Sequence, residues 1–282
     1  MRKPFGSRVV SKVAESDYDR VASAAFDADQ SLAEMLIAAC ARHGDRPAFT
    51  NLGRTLSFRE IDRQSADFAA WLRHGLKLAP GERVAIMLPN VLQYPVALLG
   101  LLRADLIAVL VNPLYTAREL RHQLNDSGAK ALIVLENFGA VAADAIGGTA
   151  VERVITTRVG DMLAWPKSWI VDFTLRHVKK LVPAFRIDGA VTWRQAMKSG
   201  ATLPRVQPQA KADDTVQLQY TGGTTGVSKG AVLSHRALIA NGAACEQWIG
   251  RLIDPDRDLG LVCLPIYHIA AYTYMLYAWA HG

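Results

Sequence analysis

The chain has 282 residues, half of them hydrophobic and 21% charged, with a formal net charge of +6 and a pI near 9.3. That length suffices to bury roughly three quarters of the unfolded surface, the composition is that of a soluble globular protein, and the basic balance favours anionic partners without any Lys/Arg block dense enough to argue for nucleic acid. Cys40, Cys245 and Cys263 are odd in number and scattered, which gives no support to a disulfide framework or metal site and suits a reducing cytosol.

Residues 1–30 read as a polar, irregular arm; Arg2, Lys3 and Arg8 make it basic, but it lacks the apolar core of a signal peptide. Ser31 is placed to cap a helix over 32–42, with Leu32, Met35, Leu36 and Ala39 on one face. Residues 48–58 read as a hairpin turning near Leu52-Gly53. Ser57-Phe58-Arg59-Glu60 is a capping box opening a helix to about Gly75. Pro80-Gly81 breaks it before a buried strand over 83–88. A helix over 92–104, a strand over 106–111, a second capping box at Thr116-Ala117-Arg118-Glu119 and a strand over 130–135 follow. Strands alternating with helices of this length predict a parallel sheet covered on both faces. Further strands are expected over 151–157 and 216–220, the second in a separate sheet. The apolar run 259–280 reads as a strand, with Cys263 in the core, followed by a buried helix. It contains Pro265 and His268, and no membrane span is predicted.

The most informative stretch is Tyr220-Thr221-Gly222-Gly223-Thr224-Thr225-Gly226-Val227-Ser228-Lys229-Gly230-Ala231. It lies between the alternating run 216–220 and a short strand, Ala231-Val232-Leu233. Glycines there permit positive φ and close ligand approach. Backbone N–H groups and hydroxyls of such a loop can cup phosphate oxygens, with Lys229 as a mobile point charge. A Walker-type loop is the rival, but its spacing fails, because Val227 and Ser228 separate Gly226 from Lys229 and no hydroxyl follows the lysine. The bland alternative is a mobile surface turn with a solvated Lys229.

These residues resemble the phosphate loop of the adenylate-forming superfamily, which includes acyl-CoA synthetases, luciferases and peptide-synthetase adenylation domains. The wording is most similar to bacterial long-chain fatty acyl-CoA ligases. So are Pro89-Asn90, Gln93-Tyr94-Pro95-Val96-Ala97, Asn112-Pro113-Leu114-Tyr115-Thr116 and the segment Glu119-Leu120 to Ala129. The resemblance runs from about residue 30 to the end. Asp105, where the family usually has glycine, is a departure expected to weaken local packing.

The resemblance implies an α/β fold of stacked parallel sheets flanked by helices, with residues 31–282 forming part of an AMP-binding domain. It also implies a two-step reaction. A fatty carboxylate attacks the α-phosphorus of Mg2+-bound ATP, releasing pyrophosphate, and CoA thiol then displaces AMP. Tyr220, Thr221, Gly222, Gly223, Thr224, Thr225, Gly226, Lys229 and Gly230 are the implied nucleotide ligands. Lys229 and His268 are the implied catalytic pair, and Tyr267, His268 and Tyr272 line the acyl site, Tyr272 as a gate. No residue within 1–282 is expected to ligate the metal. A sixteen-carbon chain offers roughly 11 kcal/mol of burial before ordering costs. A homodimer is the implied assembly, and a cytoplasmic location with contact on the inner membrane face the implied setting.

Residues 167–186 interleave Trp169, Ile170, Phe173, Val178, Leu181 and Val182 with Lys167, Arg176, Lys179, Lys180 and Arg186. Two readings stand side by side: a basic amphipathic helix lying on an anionic membrane, or a helix packed on the domain with solvated lysines. The chain stops at Gly282, about half the length of the enzymes it resembles. The acidic metal-binding element, the ribose-binding aspartate and the mobile C-terminal domain are expected beyond that point. A truncated, non-catalytic remnant and an acyl-AMP ligase that does not use CoA remain the alternatives.

Overall fold

The computed structural model describes residues 26–27, 29–221, 228–250, 253–254 and 257–282. Helix α1 (Leu32–His43) begins where the Ser31 hydroxyl accepts the Glu34 N–H and Glu34 reaches back to the Ser31 N–H. Such a reciprocal cap satisfies two otherwise orphan donors. Strands β1 (Pro47–Asn51) and β2 (Arg54–Ser57) form a hairpin turning at Leu52 and Gly53, with φ of 48° and 71°. Two consecutive positive φ values are what a two-residue type I′ turn needs. Helix α2 (Phe58–Ala70), capped by Ser57 and Glu60, runs on through one wider turn to Gly75.

From there strands and helices alternate: β3 (Arg83–Met87), α3 (Gln93–Arg103), β4 (Ile107–Leu110), α4 (Ala117–Ser127), β5 (Ala131–Leu135), α5 (Gly139–Ile146), β6 (Arg153–Thr157), α6 (Lys167–Phe173), β7 (Val191–Thr192) and α7 (Trp193–Gly200). A hairpin of β8 (Thr215–Thr221) and β9 (Lys229–Ser234), then α8 (His235–Ile249) and α9 (Ile269–His281), complete the order.

Seven strands form one sheet in the order β7-β6-β5-β3-β4-β8-β9, parallel except for the antiparallel β8–β9 pair. The strand expected in a separate sheet, β8, instead pairs with β4, Val109 opposite Leu218. It thereby satisfies the backbone edge that fully buried β4 would otherwise leave open. Among the described residues the expected stacking of sheets reduces to this one sheet and the small β1–β2 hairpin.

Period-two alternation divides the strands between two cores. Val84, Ile86, Ile133 and Ile155 face α1, α2, α3 and α7, whereas Ala85, Met87, Val109, Leu132 and Val134 face α4 and α5. From β3 the chain crosses to β4 on one side and then returns to β5 on the other. This reversal opens a crevice at the carboxyl ends of the central strands, where open α/β sheets bind ligands.

Three expectations change. Asp105, at a positive φ of 54°, does not loosen its surroundings. Its carboxylate accepts the N–H groups of Gln209 and Ala210, both at 2.9 Å, and so pins the approach to β8. The run 259–264 is not a strand, because no neighbouring strand pairs with it. Leu259 and Leu261 stand 96% and 81% exposed, and Cys263 is exposed rather than core. Within the expected arm, residues 1–25 lie outside the described residues, but Phe26 is buried, its ring stacked 5.8 Å from that of Tyr277. No helix among the described residues is long and apolar enough to cross a membrane.

Candidate functional site

The phosphate-loop candidates Gly222, Gly223, Thr224, Thr225 and Gly226 lie outside the described residues; the structure describes the hairpin that carries them. Thr221 and Lys229 face each other as the last rung of the β8–β9 ladder, both exposed, at the carboxyl end of β8. A lysine at the mouth of a Gly/Thr loop is free to follow a phosphate group on its flexible stem. Behind the loop, Ser228 is held from the α4 side. Its carbonyl lies 3.3 Å from His122 Nε2, and its side chain bonds the half-buried Tyr115 hydroxyl. Burial pushes that phenol up.

Two of the nucleotide candidates have packing reasons for their identity. The Tyr220 hydroxyl donates to Asp126 at 2.6 Å, and burial together with that carboxylate drives its pKa far above the ordinary phenol range. Gly230 sits directly across the ladder, and a Cβ there would lie 2.9 Å from the Tyr220 ring. Glycine at 230 is therefore demanded by the tyrosine that closes the hairpin.

The second group of candidates lies in the turn before α9. His268 is exposed at the N-cap, with its ring centroid 4.5 Å from that of Tyr267. Exposure leaves its ring open to a ligand rather than packed in the core. The position also sets it beside the first-turn N–H groups of α9, whose dipole favours negative charge. Tyr272, expected as a gate, is instead fully buried on α9, its hydroxyl lacking a partner among the described residues. Burial pushes its pKa far upward.

Two side chains that sequence reasoning left without a role join these pieces. Asn90, just past β3, donates to the carbonyls of Val262 at 3.1 Å and Leu264 at 2.9 Å, and accepts the Ile266 N–H at 2.9 Å. Gln219 of β8 donates to the Tyr267 carbonyl at 3.0 Å. Together they fasten the His268 turn to the carboxyl edge of the sheet, alongside the strand that leads into the candidate loop. Nothing local in the sequence signals these bonds, which span 48 to 176 residues.

A cavity of about 590 Å³ lies between the β1–β2 hairpin, residues 258–262 and α9, with Phe49, Leu92, Met275 and Trp279 but also Asn51, Asp258 and His281 in its walls. Tyr272 does not line it. Among the described residues no group of three or more His, Cys, Asp or Glu is arranged to hold a metal ion.

The chain is similar to known proteins over most of its length. A long-chain-fatty-acid–CoA ligase of Salmonella typhimurium is 47% identical over 247 residues, covering 88% of this chain and 44% of that protein. The Bacillus subtilis protein of the same name is 32% identical over 251 residues, covering 87% and 43%. The chain thus spans about 44% of the length of the curated relatives it matches. Among solved structures, a long-chain-fatty-acid-CoA ligase from Archaeoglobus fulgidus superposes with a TM-score of 0.67 at 24% identity, over 88% of this chain and 45% of that one. The adenylation domain of a carboxylate reductase from Mycobacterium chelonae gives 0.71 at 20%, over 92% and 42%; at such identities the likeness is one of fold. The AMP-binding enzyme family matches residues 36–282, and the chain belongs to that family.

Proposed function

We propose that this chain supplies the phosphate-binding and acyl-adenylate side of an ATP-dependent long-chain fatty acid–CoA ligase. The observation that carries the reading is the shared edge. The loop-bearing β8–β9 hairpin and the exposed His268 turn are tied together through Gln219 and Asn90 at the carboxyl ends of β8 and β3. In this reading Lys229 and the loop hold the β- and γ-phosphates of ATP. His268 and the start of α9 face the reacting carboxylate and the α-phosphate, where charge builds as pyrophosphate leaves. Such catalysis asks for placed positive charge and dipoles rather than a protein nucleophile. The 590 Å³ cavity beside residues 258–262, with its apolar walls of Phe49, Leu92, Met275 and Trp279, is the candidate seat for the acyl chain. Mg2+ and CoA enter as co-reactants of the family reaction, and no residue described here is assigned to either.

A second reading has its own observation. Leu259, Leu261, Leu264 and Trp248 are exposed around the same edge, as in a nucleotide-binding piece that works only with further protein against it.

One experiment separates the two: binding of a fluorescent ATP analogue, alongside pyrophosphate release dependent on palmitate. The ligase reading expects both, each weakened at least tenfold by Lys229→Ala. Binding without release selects the second reading. Binding that Lys229→Ala leaves unchanged overturns the assignment of the loop.

A further inference from the structure

Helix α4 is fixed at both ends by its own residues. Thr116 and Glu119 cap it reciprocally, and Gly128 ends it in the left-handed region at a φ of 61°. Leu120 and Leu124 are buried in the core beneath it, and Gln123 donates to the Leu110 carbonyl of β4 at 2.8 Å. His122 and Asp126, four residues apart and so on one stripe of the helix, are left to face the β8–β9 hairpin. That hairpin needs outside support. β9 ends the sheet, its first four residues are exposed, and among the described residues no strand pairs with its outer edge.

The support comes from α4 on both strands. On the β8 side, Asp126 accepts the Tyr220 hydroxyl at 2.6 Å, and the Tyr220 ring lies against Gly230. On the β9 side, His122 Nε2 meets the Ser228 carbonyl at 3.3 Å, and Tyr115, just before the helix, shares a hydrogen bond with the Ser228 side chain. A carbonyl only accepts, so Nε2 carries the proton of that bond. Ser228 is the residue before Lys229, and a peptide unit is planar. The oxygen that His122 holds, the Lys229 nitrogen and the Lys229 Cα therefore share one plane. Holding that oxygen orients the plane and sets the direction in which the Lys229 side chain leaves the backbone.

We propose that His122 and Tyr115 are positioning residues for Lys229, fixing the Ser228–Lys229 peptide and thereby where the ammonium group meets a polyphosphate. The assignment rests on the reading of Lys229 as a phosphate ligand. A lysine stem is flexible, so the backbone from which it departs is the part that can be set in advance. Setting it in advance reduces the freedom lost when the phosphate binds. Neither residue contacts the phosphate; both act through Lys229, and their contributions vanish once that side chain is removed. Helix α4 is itself tied to the end of β4 through Gln123. Lys229 is thus registered against the same carboxyl edge to which Asn90 and Gln219 fasten the His268 turn.

The test is a competition assay on the 282-residue chain. A bound fluorescent ATP analogue is displaced by ATP or by inorganic tripolyphosphate, which has neither base nor ribose. His122→Ala should weaken both competitors about fivefold, the worth of one neutral hydrogen bond, and Tyr115→Phe by a similar factor. His122→Gln, whose amide N–H takes the place of Nε2–H, should restore affinity, with the circular dichroism spectrum unchanged in every variant. On the Lys229→Ala background, His122→Ala should cost less than about twofold, because the side chain it positions is gone. A full loss that persists on that background overturns the proposal. So does failure of Gln to restore binding, or a tripolyphosphate affinity that His122→Ala leaves unchanged. If Lys229→Ala weakens binding and His122→Ala does not, the ligase reading stands and the positioning role falls. If Lys229→Ala itself changes nothing, both fall.

Discussion

The two flanks of the sheet are built to different standards. From β3 through β6 both faces are covered, and β5 is buried at all five positions. At the other flank, β9 shows its first four residues to solvent, Val232 among them, and the run leading to His268 carries Leu259 and Leu261 in the open. The same kinds of apolar residue thus have opposite fates, and the difference lies in neighbours. A strand closes its ladder and both its faces only where a strand and two layers of helix are supplied. The candidate site lies on the border, anchored by residues of the closed flank and displayed by the open one.

The sharpest way to break that contrast is to truncate one residue on each side. Ile133→Ala in β5 removes a fully buried side chain and is expected to cost about 3–4 kcal/mol. Leu261→Ala should stay within about 0.5 kcal/mol. Urea unfolding of both variants checks this, and similar costs would erase the distinction between flanks. Asn90→Ala comes next, at about 2 kcal/mol, since three backbone groups lose their partner. Hydrogen exchange should show faster exchange at the Ile266 amide while β3 and β5 stay protected. Uniform loss of protection would mean that the border does not exist. Asp105→Gly is expected to cost only about 1 kcal/mol in urea unfolding, because glycine relaxes the positive φ while two hydrogen bonds are lost.

The last test concerns sign rather than size. His235, on α8 of the open flank, is buried and accepts the Leu32 N–H through Nδ1 at 2.9 Å, joining α8 to α1. Burial lowers its pKa below the ordinary 6.5, only partly countered by Asp214, Asp105 and Glu34. A depressed histidine leaves the unfolded chain binding more protons below that value. Its contribution is therefore complete above pH 6.5 and is lost as the pH falls through the folded value. Thermal unfolding should show lower stability at pH 5 than at pH 7.5. His235→Asn, whose amide oxygen can take over the Leu32 N–H, should narrow the gap, and an unaltered gap would remove His235 as its source.

The closed flank was legible in the sequence because its signals are local. Capping boxes at Ser57 and Thr116, the Leu52-Gly53 turn and runs such as Ala131–Leu135 each specify their own element. The runs around Lys229 and His268, singled out by their wording, lie beside each other at one edge of the sheet. What escaped was pairwise and distant. Whether residues 259–264 become a strand depends on a neighbour, not on their own apolarity, and so does the fate of Cys263. Tyr272 read as a gate because helical spacing does not say which face of α9 is inward. Asp105 looked like a defect until its partners, 104 and 105 residues away, were in view.

The Asn90 clamp carries a consequence in time. Its three partners lie 172, 174 and 176 residues further along the chain. At a synthesis rate of about 5–20 residues per second they emerge roughly 9–35 s after Asn90 itself. β3 has both of its partner strands, β4 and β5, by residue 135. On the ribosome that central ladder can therefore form while the Asn90 amide still bonds to water, and the His268 turn is captured only afterwards.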